Sequence, residues 1–133
     1  MRRNWKRWAI RIPACLAAAL IVLICAAELM IGLGVRRFSL LAQEHYPGDR
    51  VQALAEMVEC DSCSLRDRNH AVWALAQLAD RTALPVLEKY YTGRQCDHGK
   101  EPCQYELRKA LQLIRKGHNS EAALWRWMLP NRS

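Results

Sequence analysis

Strict alternation of apolar and polar residues, the mark of a half-buried strand, is missing from all 133 residues. Also absent are Gly-x-Ser-x-Gly, a glycine-rich phosphate loop and His-Glu-x-x-His. The sequence therefore carries no sign of a nucleophile elbow, a P-loop or a zincin-type metal centre. A cationic domain is lacking as well, although the formal net charge is +7. Five basic residues, Arg2, Arg3, Lys6, Arg7 and Arg11, stand before an apolar run, and from Arg36 onward acidic and basic residues are nearly balanced and interspersed. That distribution leaves no electrostatic footprint for nucleic acid, so no nucleic-acid partner is expected. No small-molecule substrate is evident either, and the chain is expected not to be an enzyme.

What is present begins with "IPACLAAALIVLICAAELMIGLGV", residues 12–35, apolar throughout except for Glu28. A helix of that length, rising 1.5 Å per residue, spans the ~30 Å hydrocarbon core. Trp5 and Trp8 suit the headgroup level. The five basic residues before the run outweigh Arg36, Arg37 and Arg50 beyond it, which predicts a cytoplasmic N-terminus and an exported remainder. The expected organisation is a basic cytoplasmic flank (1–11), a transmembrane helix (12–35), a juxtamembrane linker or helix (36–48) and a helical domain (49–133) in a single-pass protein of the cell membrane. One alternative is a signal peptide cleaved after "CAA" with secretion of the rest; another leaves the domain cytoplasmic. Cys15 and Cys25 read as membrane-compatible small residues, and Glu28 as a carboxyl near the helix end.

In the domain, apolar residues recur at three and four. "GDRVQALAEMVEC" puts Val51, Leu54, Ala55 and Val58 on one stripe behind Asp49 as N-cap. "SLRDRNHAVWALAQLAD" aligns Ala71, Ala74, Leu75 and Leu78, with Trp73 at the edge. "TALPVLEKYY" is expected to start from Thr82 as N-cap, with Pro85 in its first turn. "CQYELRKALQLIRKG" aligns Leu107, Ala110, Leu111 and Ile114 and stops at Gly117, and a further helix restarts near Ser120.

"WALAQL" (73–78) returns as "KALQLI" (109–114), a spacing found in helical solenoids. The stretch "RNHAVWALAQLADRTALPVLEKYY" resembles a HEAT-like repeat of the phycobilisome-lyase type. The resemblance is carried by Ala71, Ala74, Leu75, Leu78, Asp80, Ala83, Leu84, Pro85 and Leu87, with Ala76 and Ala79 where the pattern has glycines. It covers 24 of the 133 residues. It implies an all-α protein in which the transmembrane helix is followed by a short HEAT-like α-solenoid of two to three helix pairs. HEAT-like proteins are mostly scaffolds for other proteins. The iron-dependent hydroxylases among them hold metal with His-Glu dyads, and His45, His70, His98 and His118 are followed by Tyr, Ala, Gly and Asn.

In such a solenoid "CDSC" (60–63) and "CDHGKEPC" (96–103) fall in connections at one edge. Cys60, Cys63, Cys96 and Cys103 then have three possible fates. They form disulfides, the default for a small exported domain; they hold zinc as four thiolates, or as three with His98 as the fourth ligand; or they stay free. The expected function is a membrane-tethered, non-catalytic protein-interaction scaffold without a cofactor. The alternative is a small zinc-binding or redox-responsive module on the same helices. The expected interaction surface comprises Arg66, Arg68 and His70 at a helix start, together with Trp125 and Trp127 flanking Arg126.

Overall fold

The computed structural model describes the backbone of residues 2–97 and 99–117, and side chains from Arg11 onward. Among these residues the regular structure is helical: α1 (Arg2–His45), α2 (Arg50–Glu59), α3 (Leu65–Leu78), a 3-10 turn (Arg81–Ala83), α4 (Leu84–Tyr90) and α5 (Gln104–Lys116). The chain divides into two compact units between Ile31 and Gly32, within α1.

In the first unit Leu20, Ile21, Val22, Leu23 and Ile24 occupy more than a full turn, and each is over half exposed. A helix that is apolar on every face has no polar side to offer water. By length and composition α1 is able to cross a membrane.

The second unit takes in the rest of α1, so of the segment 36–48, expected as a juxtamembrane linker or helix, the part as far as His45 is helical. Val35, Ser39 and Ala42, spaced four and three apart, are buried. Phe38 stacks on the His70 imidazole with ring centroids 4.2 Å apart and meets Trp73 edge-on at 6.2 Å. Gly34 leaves room for this packing, since a Cβ there would lie 3.1 Å from the Trp73 ring. Trp73, expected at the edge of its helix face, is thus packed against α1.

Asp49 caps α2 in a full capping box: its carboxylate accepts the Gln52 N–H at 2.9 Å, and the Gln52 side chain accepts the Asp49 N–H at 3.2 Å. The buried face of α2 is Ala53, Leu54, Met57 and Val58. Val51 and Ala55, expected on that stripe, are only partly covered. Ser64 caps α3 by accepting the Asp67 N–H at 3.1 Å. The buried face of α3 includes Ala71, Ala74, Leu75 and Leu78 as expected, widened by Val72 and Ala76. α3 packs against both α2 and α5, and α4 against α5.

Two helix ends differ in how they stop. Gly117 ends α5 at φ 64°, a left-handed conformation that costs glycine nothing. Ala79 ends α3 at φ 49°, with its N–H bonded to the Leu75 and Ala76 carbonyls, and bears the Cβ penalty that a glycine avoids. After it, Asp80 and not Thr82 provides the cap. The Asp80 carboxylate accepts both the Thr82 N–H at 2.9 Å and the Thr82 hydroxyl at 2.8 Å, so the turn tightens to 3-10 geometry before α4.

Candidate functional site

The cysteines come together in sequence-neighbouring pairs. Cys60 is the C-cap of α2, and its sulfur lies at disulfide distance from Cys63, with the Cα atoms 5.4 Å apart. The Tyr46 hydroxyl is 3.2 Å from the Cys63 sulfur. Across the second connection the Cys96 and Cys103 sulfurs are 3.0 Å apart. Among the described residues no three His, Cys, Asp or Glu side chains converge as metal ligands, so the four-thiol set expected for zinc is not assembled; His98 lies outside the described residues.

The connection between α4 and α5 is mostly exposed, with little apolar content to fix it. Its two ends are instead tied by polar side chains. Gln104, 3% exposed, accepts the Thr92 N–H at 2.8 Å and donates to the Tyr90 carbonyl at 3.1 Å. Asn69 on α3 accepts the Cys103 N–H at 2.8 Å. Cys103 is the N-cap of α5, but its side chain makes no capping bond. The Cys96 sulfur substitutes, accepting the Tyr105 N–H at 3.3 Å. A sulfur there gains from the partial positive charge of the helix start. The Cys103 thiol, first, and the backbone N–H groups of Tyr105 and Gln104 hold Cys96 below the ordinary thiol range. Burial, and then the bond to Cys96, push Cys103 upward. The arrangement favours a Cys96 thiolate receiving a hydrogen bond from a Cys103 thiol.

Beside this pair is an open recess of about 200 Å³ lined by Tyr91, Gly93, Arg94, Gln95, Cys96, Gln104, Tyr105 and Arg108. Tyr91 is 36% and Tyr105 52% exposed, and the Arg108 guanidinium lies 5.6 Å from the Tyr105 ring centroid. Arg94 is held by its own backbone N–H and Nε, both bonded to the Thr92 hydroxyl.

The expected interaction residues are dispersed. Arg66 is exposed. Arg68 is not on the surface: it is 6% exposed, its Nε donates to the Val58 carbonyl at 2.8 Å, and its guanidinium lies 5.2 Å from the Tyr90 ring centroid. The bond satisfies a carbonyl in the last turn of α2 that has no partner within its own helix. The signal was the spacing, because 68, 71, 72 and 75 lie on one helical face, and Ala71, Val72 and Leu75 are all buried. His70 is half-buried under Phe38 and so offers a partner little. Trp125 and Trp127 lie outside the described residues. The roles of Gln104, Asn69 and Tyr105 carried no local sequence signal, since each depends on a residue brought near by folding. No known family model, curated protein or solved structure matches the chain.

Proposed function

We propose that the chain is a membrane-anchored, non-enzymatic protein-interaction module built on HEAT-like helix pairs, with a cytoplasmic N-terminus and an exported helical domain. Anchoring is supported by α1, apolar and exposed over successive turns. Export is supported by the basic excess ahead of the span and by the cysteine pair at disulfide distance, a bond that persists in oxidising compartments.

The binding reading rests on one observation. Among the described residues beyond α1, the large apolar or aromatic side chains left exposed are Tyr91 and Tyr105, and both wall the recess that holds Arg94 and Arg108. Tyr and Arg dominate interface hot spots because each covers apolar area while keeping a polar end. The recess has two cationic side chains in its lining and no carboxylate, which fits an acidic segment bearing an apolar or aromatic side chain. A photo-crosslinking amino acid in place of Gln95, in the full chain within its own membrane, is expected to give one discrete protein adduct. That adduct should disappear in the Arg94→Glu/Arg108→Glu variant. No discrete adduct, or one indifferent to both charge reversals, would count against the reading.

A further inference from the structure

We infer that Cys96 and Cys103 form a thiol–disulfide exchange site, in which Cys96 attacks a disulfide co-substrate and Cys103 resolves the mixed disulfide. The co-substrate class is a disulfide, carried either by a protein or by a small thiol. Three features of the geometry support this assignment. The two sulfurs are 3.0 Å apart, both half-buried. The two thiols differ in setting: the Cys96 sulfur accepts the Tyr105 N–H at 3.3 Å, whereas Cys103, which also lies near the Glu106 and Tyr105 N–H groups, makes no capping hydrogen bond and is pushed upward first by burial. Finally, between Gly93 and Glu101 the hydrogen bonds that reach from the connection to the start of α5 among the described residues both end on Cys96.

In the first step the Cys96 thiolate attacks one sulfur of R–S–S–R. A Cys96–S bond forms, the S–S bond breaks, and one RS⁻ leaves with the bonding pair and takes a proton from solvent. Cys103 then gives up its proton and attacks the Cys96 sulfur. The second RS⁻ leaves and is protonated. The two cysteines together lose two electrons and two protons, and the co-substrate becomes two RSH. Closure ties the Gly93–Cys96 wall of the recess covalently to the start of α5, and reduction releases it. The inference does not depend on the binding reading, because the thiol chemistry is measured without a partner.

The test uses the reduced full chain in nanodiscs with oxidised glutathione as probe, read by differential alkylation and mass spectrometry. Cys96 and Cys103 are expected to become protected together and to yield a peptide linking the two. Cys103→Ser should accumulate glutathione on Cys96, whereas Cys96→Ser should acquire it on Cys103 roughly tenfold or more slowly. A pulse of alkylating reagent on the reduced, unsubstituted chain gives a readout free of any folding defect in the variants. There Cys96 should react at least about tenfold faster than Cys103. Equal or reversed rates, or linked peptides joining Cys96 or Cys103 to Cys60 or Cys63, would overturn the assignment.

Discussion

The two cysteine-bearing connections of the helical domain, Cys60–Ser64 and Tyr91–Cys103, use similar residues and depend on them differently. The first is short, flanked by the Ser64 cap, and held from below by Arg68 on the Val58 carbonyl. The second is long and exposed, and is held at its ends by Gln104 and Asn69 and in its middle by Cys96. A cross-link stabilises chiefly by restricting the unfolded chain, and the loop-length dependence is shallow, so the two pairs should contribute within about 1 kcal/mol of each other to global stability. The difference lies in the native state. Without its sulfur bond the first connection keeps its other ties, whereas the second keeps only the turn around Asp97 and loses the tie between its middle and the start of α5.

The largest effect is expected where both connections share a support. Leu75 lies in α3, which packs on α2 and α5, and is fully buried. Leu75→Ala should cost about 2 to 5 kcal/mol through lost contacts and a residual cavity, seen as a lowered or vanished cooperative melt. Unchanged melting would mean that α3 is not the common core element. Next is Arg68→Ala, which strips the Val58 carbonyl of its donor and leaves Tyr90 with Lys89 as its remaining cation. A loss of about 2 to 3 kcal/mol in denaturant unfolding is expected, because a buried acceptor is left unpaired. Here the first connection should loosen even with its cysteines intact.

Gln104→Ala probes the second connection in the same way. It orphans the Thr92 N–H and the Tyr90 carbonyl, and both lie near enough to solvent for water to compensate in part. A loss of about 1 kcal/mol is expected, with faster hydrogen exchange at Thr92 and unchanged exchange in α2. The smallest effect, and of opposite sign, belongs to Ala79→Gly. Removing a Cβ from a left-handed helix end relieves strain, offset by greater freedom in the unfolded chain, so a gain of roughly 0.5 to 1 kcal/mol is expected. A loss at this position would mean that Ala79 does not hold that conformation in solution.

How far these features were readable in the sequence follows from how local their causes are. α3 and α5 run for 14 and 13 residues, long enough for a 3.6-residue period to define one face, and Gly117 supplies a stop whose reason lies within its own backbone. α2 has ten residues, and two overlapping stripes both contain Leu54 and Val58. Whether Val51 and Ala55 or Ala53 and Met57 complete the face is decided by the neighbouring helices. Arg68 was obscured by its charge, although its spacing placed it on the buried face. The cysteine pairing was open among three connectivities, and the fold brought together the partners nearest in sequence. The recess was not readable, because Tyr91 and Tyr105 come to line it only after the connection folds back on itself.

Of the proposed features, a persistent Cys60–Cys63 disulfide is the one that requires the helical domain to face an oxidising compartment, as the proposed topology does. The most direct measurement is a pair of reporter fusions after Ser133 in the full chain, one to alkaline phosphatase, active only when exported, and one to a fluorescent protein that matures only in the cytoplasm. With five basic residues ahead of the span, the phosphatase fusion should be active and the fluorescent fusion dark. A bright fluorescent fusion with an inactive phosphatase would place the domain in the cytoplasm and remove the basis for its disulfides.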